Sequence, residues 1–280
     1  MKKLTAVKIA LGSAIAAAAA GGLTFFMISP ERPREDKRGI FAGRNYAHRG
    51  LFTRDQVIPE NSIKAFKRAV NAGYGIELDV QLSKDGQVVV FHDDDLERVC
   101  GVLTRVDEYD YEELENMQLF DTDEKIPLFT DVLAEVRGKV PLIVELKTSP
   151  RRTELCEKAW EILRQYEGDY CIESFDPRIV AWFRKNAPEV VRGQLATQCD
   201  LFKNENDMSI FEAFALSRCL LNFLSRPNFI AYHIGKRPFL IKLMRSMGAM
   251  LFAWTPHDES DERKNDSVIF EFYEPEIRYR

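Results

Sequence analysis

Glu77 and Asp79 stand two residues apart inside an otherwise apolar run, Gly75–Leu82. On a strand, positions i and i+2 face the same side, so both carboxylates point one way. Two buried carboxylates at close range repel, and near neutral pH they require a cation or a shared proton. A third carboxylate, Glu145, lies at the end of a second apolar run, Val140–Leu146, just before Lys147. Three carboxylates with waters make an all-oxygen donor set, which suits Mg²⁺, Ca²⁺ or Mn²⁺ better than zinc or copper. Two of the four histidines fall in comparable places: His48-Arg49 follows Tyr46-Ala47, and His92-Asp93 follows Gln87–Phe91. Imidazole exchanges protons near neutral pH, and a guanidinium beside it can hold an anion. A single strand-end carboxylate is more often a cap or a salt-bridge partner than a ligand. The repetition at several strand ends is what points to a site.

Such groups need a frame that brings strand ends together. The spacing predicts strands at Tyr46-Ala47, Gly75–Leu82, Gln87–Phe91, Val140–Leu146, Tyr170–Ser174, Val191–Ala196, Met250–Trp254 and Ser267–Phe272. Helical spacing occupies Ser62–Ala72, with Ser62 as N-cap, then Tyr111–Met117, Phe129–Val136, Arg151–Tyr166, Pro177–Asn186, Glu205–Ala215 and Arg237–Met247. Strands alternating with helices predict a parallel sheet covered by helices, and the number of strands fits an α/β barrel of the (β/α)8 TIM type. A doubly wound open sheet is the alternative. Neither GxGxxG after a first strand nor GxxxxGK[ST] occurs, so the common nucleotide-binding readings have no support. In an α/β barrel the C-terminal strand ends converge on the active site, where the ionisable residues above would meet.

Residues Ile9–Ser29 carry no charged side chain. A run of about 20 apolar residues is long enough to cross a bilayer, and longer than the apolar region of a signal peptide. The expectation is an N-terminal hydrophobic, transmembrane helix that anchors the protein by a single pass, with a cleaved signal as the alternative. Lysines and arginines flank it on both sides, so the positive-inside rule leaves the orientation open. The expected organisation is an anchor or signal over 1–30, a linker over 31–43 and a barrel domain over 44–275. The net charge is −5, and nothing in the sequence suggests a basic face for nucleic acid. The five cysteines form no CxxC pair, which argues against a structural zinc site or a disulfide framework and leaves buried or half-buried thiols.

At these same residues the chain resembles the glycerophosphodiester phosphodiesterases. AHRG, PENS and GIELDVQLSKDGQVVVFHDDDLER run almost continuously from Asn45 to Gly101; VELK, SFDP and the AWT of Ala253–Thr255 follow in order. The resemblance implies a TIM-type barrel that hydrolyses a glycerophosphodiester to glycerol 3-phosphate and an alcohol through a cyclic phosphate. It implies Glu77, Asp79 and Glu145 as ligands of Mg²⁺ or Ca²⁺, His48 and His92 as the acid/base pair, and Arg49 as the phosphate contact. Glu60 and Asn61 match the supporting PEN element, and Lys147 and Trp254 match pocket residues. Which histidine is acid and which is base stays open in the sequence. A departure is Trp254-Thr255-Pro256-His257, where the family pattern has a WTVN-like string. Two other readings share the scaffold. One is a sphingomyelinase D-like, phosphoinositide phospholipase C-like or lysophospholipase D-like phosphodiesterase acting on membrane lipids. The other is a barrel without catalysis, tethered to a membrane as a binding protein.

Overall fold

The computed structural model describes residues 18–206 and 208–278. Its strands are β1 (Asn45–Ala47), β2 (Gly75–Leu82), β3 (Val88–Val90), β4 (Asp95–Leu96), β5 (Val102–Arg105), β6 (Leu142–Leu146), β7 (Tyr170–Ser174), β8 (Val191–Ala196), β9 (Phe229–His233), β10 (Met250–Trp254) and β11 (Ser267–Phe270). Around a ring the order is β1-β2-β6-β7-β8-β9-β10-β11, all parallel, and the pairing of β1 with both β2 and β11 closes it. The expected (β/α)8-type barrel is therefore present.

Its membership differs from the sequence reading at two strands. The Gln87–Phe91 run gives β3, which pairs antiparallel with β2 (Val80 with Val90, Leu82 with Val88) and stands outside the ring. The missing ring member is β9, which the sequence reading did not identify. The crossover from β2 to β6 is long because it carries β3, the β4–β5 hairpin and the short helix Tyr111–Leu114 before the covering helix Phe129–Val136. This excursion has its own small core, including Phe91, Leu96, Val106, Leu114 and Ile126. The expected helix Glu205–Ala215 is two helices, Cys199–Asn206 and Ile210–Ser217.

Alternation along the strands sorts side chains into two cores. One face packs outward against the helices Ile63–Ala72, Phe129–Val136, Arg152–Leu163 and Pro177–Asn186. The other fills the lower barrel with Tyr46, Ile143, Cys171, Val191, Phe229, Met250, Phe252 and Ile269. Phe229 and Phe252 stack there with ring centroids 4.4 Å apart. Gly193 is required beside them, because a Cβ at that position would overlap the Phe229 ring. Packing the lower barrel with aromatic groups leaves the polar chemistry to the C-terminal rim. Cys156, Cys171 and Cys219 are buried thiols, as their scatter suggested, and the cysteines are free.

The segment expected as a linker is folded. The helix Glu35–Phe41 places a buried Phe41 in the same interior cluster. Glu31 pairs at 2.5 Å with the buried Arg192 near the start of β8, and its carbonyl accepts from Asn228. Residues 18–28 are helical; Leu23, Phe25 and Phe26 are exposed, whereas Ile28 is fully buried among Phe202, Ile230, Ile241 and Met244. Among the described residues no helix is long and apolar enough to cross a membrane. The transmembrane expectation thus gains no support, and its first part, from Ile9 to Ala17, lies outside the described residues.

Candidate active site

Three ring positions form the centre. Asp79 on β2 is in register with Glu145 on β6, and Glu77 lies one pleat below on the same face. Ligand oxygens of Glu77, Asp79 and Glu145 all lie within 4.8 Å of one another, and the three residues are buried. Lys147 sits among them, 3.0 Å from Glu145 Oε1 and 3.3 Å from Asp79 Oδ1. Sequence comparison placed this lysine on the pocket wall; here it is the counter-charge inside the carboxylate cluster.

The loop after β1 supplies the next layer. Arg49 and Asn61 both adopt left-handed backbone, and Asn61 N–H donates to Arg49 O at 2.9 Å, which ties the two turns together. Gly50 between them has φ +80°, and a Cβ there would press on Ala65 and Phe66. Ser62 caps the following helix by accepting from Ala65 N–H. This turn aims Arg49 N–H at Glu77 (3.0 Å), the Arg49 guanidinium at Glu60 (2.7 Å) and Asn61 Nδ2 at Asp79 (2.9 Å). Glu60 also holds both terminal nitrogens of Arg98.

Each histidine leans on a carboxylate. His48 Nδ1 lies 2.5 Å from Glu271 Oε1, and its Nε2 lies 3.8 Å from Glu77 Oε2. His92 Nδ1 lies 2.6 Å from Asp93 Oδ1, and Asp93 is itself bound by Arg98. His92 does not come from a ring strand: it leaves β3, whose hairpin with β2 folds it back to the mouth. The histidine and its place at the rim were expected, and the ring-strand origin is corrected.

Electrostatics divide the carboxyls. Burial, then the charges of Asp79, Glu173 and Glu145, push Glu77 well above the usual carboxylate range. Burial pushes Glu145 up to about 7, against the pull of Lys147. Burial also opposes ionisation of Asp79, but Lys147, His92, Arg49 and the Asn61 hydrogen bond outweigh it and hold Asp79 well below that range. Burial, helped by Lys147, lowers His92 to about 4. A cluster whose carboxyls resist ionisation fits a hard divalent cation, which would compensate the repulsion. Two buried oxygens without a hydrogen-bond partner, Asn61 Oδ1 and Glu173 Oε2, point the same way.

The family profile described as glycerophosphoryl diester phosphodiesterase matches residues 48–271. The chain belongs to that family. It is a phosphoric diester hydrolase, and its relatives agree. A glycerophosphodiester phosphodiesterase of Caldanaerobacter subterraneus is 30% identical over 227 residues, covering 77% of this chain and 86% of that one. A rat lysophospholipase D is 28% identical over 205 residues, covering 69% of this chain and 58% of that one. The crystal structure of a Thermotoga maritima glycerophosphodiester phosphodiesterase superposes with a TM-score of 0.61 at 28% identity, over 81% of this chain and 93% of that one.

The remaining expected residue, Trp254, ends β10 across the ring from β6. Its indole donates to Ala196 O at 3.2 Å, and its ring lies 4.4 Å from His233 and 5.9 Å from Phe175. It forms an aromatic wall on the far side of the mouth from the carboxylates. The structure adds Glu271, Asp93, Arg98 and Glu173 to the site. Glu271 and Glu173 carry only a weak signal in the sequence, since each is a lone carboxylate in or just after an apolar strand run.

Proposed function

We propose that the protein hydrolyses glycerophosphodiesters to glycerol 3-phosphate and an alcohol, with Mg²⁺ or Ca²⁺ held by Glu77, Asp79 and Glu145. The observation that carries this reading is the buried three-carboxylate cluster flanked by two histidine–carboxylate pairs. When bound, the cation offsets charge that builds on the phosphoryl oxygens. Arg49, held in place by Glu60, faces the same anion from the β1 loop and stabilises that charge further.

His92 is uncharged at neutral pH, because burial and Lys147 disfavour its protonated form. A neutral imidazole suits the base that removes the proton of the glycerol 2-hydroxyl, whose oxygen then bonds to phosphorus. That leaves His48, whose Nδ1 pairs with Glu271, as the proton donor to the leaving alcohol. The cyclic phosphate is then opened by water, with the two histidines exchanging roles. Trp254 and Phe175 give the organic part of the substrate an apolar surface.

The deciding experiment is release of glycerol 3-phosphate from glycerophosphocholine and glycerophosphoethanolamine, with and without EDTA, then with Mg²⁺ or Ca²⁺ restored. Metal-dependent release that disappears in Glu77→Ala and His92→Ala is expected; folded protein giving none with either metal would sink the reading. A substrate with a p-nitrophenol leaving group separates the two histidines, since that group departs without a proton. His48→Ala is expected to lose at least about tenfold less activity on it than on glycerophosphocholine, while His92→Ala loses comparably on both. The similarity to a lysophospholipase D favours a second reading, a lysophospholipid substrate, which the same assay tests when the acylated and deacylated diesters are compared.

A further inference from the structure

Glu173 has no part in the mechanism above, yet it is the carboxylate whose surroundings are hardest to explain without a ligand. It lies on β7 in register with Glu145, which is in register with Asp79, so the three carboxylates form one row across three adjacent strands. Cys171, two residues earlier, belongs to the barrel interior, and alternation turns Glu173 to the same face. The residue is 1% exposed, and its Oε2 is buried with no hydrogen-bond partner. On its other side the in-register neighbour is Gly193, which offers no side chain to bond. The nearby cations are committed elsewhere: Lys147 to Asp79 and Glu145, and Arg49 to Glu60 and Asp79. A carboxyl left so is costly, and an interior strand position is filled at no such cost by valine or leucine.

The close group whose oxygens lie within 4.8 Å of one another comprises Glu77, Asp79 and Glu145 and does not include Glu173. Its place in the row is therefore further from that group than direct contact with a shared cation. We propose that Glu173 is a fourth carboxylate of the cation site, acting across a water rather than by direct contact. Mg²⁺ and Ca²⁺ both keep waters among their ligands, and a carboxylate beyond such a water accepts its hydrogen bond and adds attraction for the cation.

This inference rests on the cation reading of the site, and titration calorimetry separates the two. Ca²⁺ and Mg²⁺ are titrated into the metal-free parent, Glu77→Ala, Glu173→Gln and Glu173→Leu, with melting temperatures recorded with and without Ca²⁺. The parent is expected to bind Ca²⁺ and Glu77→Ala to lose it. Glu173→Gln is expected to weaken binding of both ions about 10- to 100-fold, the usual effect of removing an outer partner. Both Glu173 variants are expected to melt no lower than the parent when metal-free, and to gain less from added Ca²⁺. A parent that binds neither ion overturns the cation reading and this inference with it. A parent that binds either ion, with folded Glu173 variants of unchanged affinity, overturns the role of Glu173 alone.

Discussion

At the scale of single residues, the site is a set of charges that cannot all exist without help. Glu145 is pushed up to about 7 and Glu77 well above the ordinary carboxylate range, mainly by burial. A cation needs those groups ionised, so binding must expel protons that the metal-free site retains. The sign follows: a group with a raised pKa is ionised above it and protonated below, so affinity rises with pH through about 7 and is lost as pH falls. Ca²⁺ affinity is expected to weaken by about tenfold per pH unit below 7 if one proton is displaced. Calorimetry at pH 5.5, 7 and 8.5 measures this, and a constant affinity would contradict it. Much of this chemistry was legible in the sequence, because Glu77-Leu78-Asp79 interrupts an apolar strand with two charges on one face. Glu173 and Glu271 were not, because each is a lone carboxylate and a lone strand-end carboxylate resembles a cap. Only the closed ring shows that Glu173 continues the row of Asp79 and Glu145, and that Glu271 meets His48 across the β1–β11 seam.

At the scale of elements, the sequence pattern located strands better than it assigned them to the ring. Gln87–Phe91 has the same apolar, β-branched text as a barrel strand, and nothing local distinguishes a hairpin partner from a ring member. The distinction is made by the Ser83–Gly86 turn, where Ser83 Oγ and N–H both bond Gln87, which sends β3 back along β2. The converse error hid β9. Its residues Phe229–His233 follow a stretch dense in Phe211, Phe214, Leu216, Leu220, Leu221, Phe223 and Leu224, where apolar periodicity does not separate a short strand from helix. Strand β8 shows what the ring asks of its members. Gly193 leaves room for the Phe229 ring, which stacks on Phe252. Gly193→Ala is expected to destabilise the fold by about 1–3 kcal/mol, as overpacking of a filled interior does. Urea unfolding would show this as a lower midpoint at unchanged slope, and a midpoint equal to the parent's would mean that the aromatic stack moves aside freely.

At the scale of the whole molecule, residues 28–41, just before the barrel, belong to the fold. The charged stretch over 31–43 reads as a linker in the sequence because hydropathy carries no record of what a segment packs against. Ile28 is fully buried among residues of β9 and the outer helices, Phe41 enters the barrel interior, and Glu31 meets Arg192 between them. Arg192 is 1% exposed and also donates to Ser225 O. Glu31 is the carboxylate that pairs with its guanidinium, and it supplies the negative charge that offsets it. A chain shortened to begin at Lys37 loses that charge and the Ile28 contact while leaving the catalytic rim untouched. Removing one partner of a buried pair costs about 3–5 kcal/mol, and the half-exposed position of Glu31 argues for about 2 kcal/mol here. For a domain of this size that corresponds to a fall of about 4–8 °C in melting temperature. Glu31→Gln in a chain that keeps Ile28 isolates the charge, and it is expected to reproduce part of the fall with kcat on glycerophosphocholine unchanged at temperatures below the transition. Scanning calorimetry of the three chains decides between a folded strap and a passive tether: a shortened chain that melts with the parent would return residues 28–36 to the role of linker.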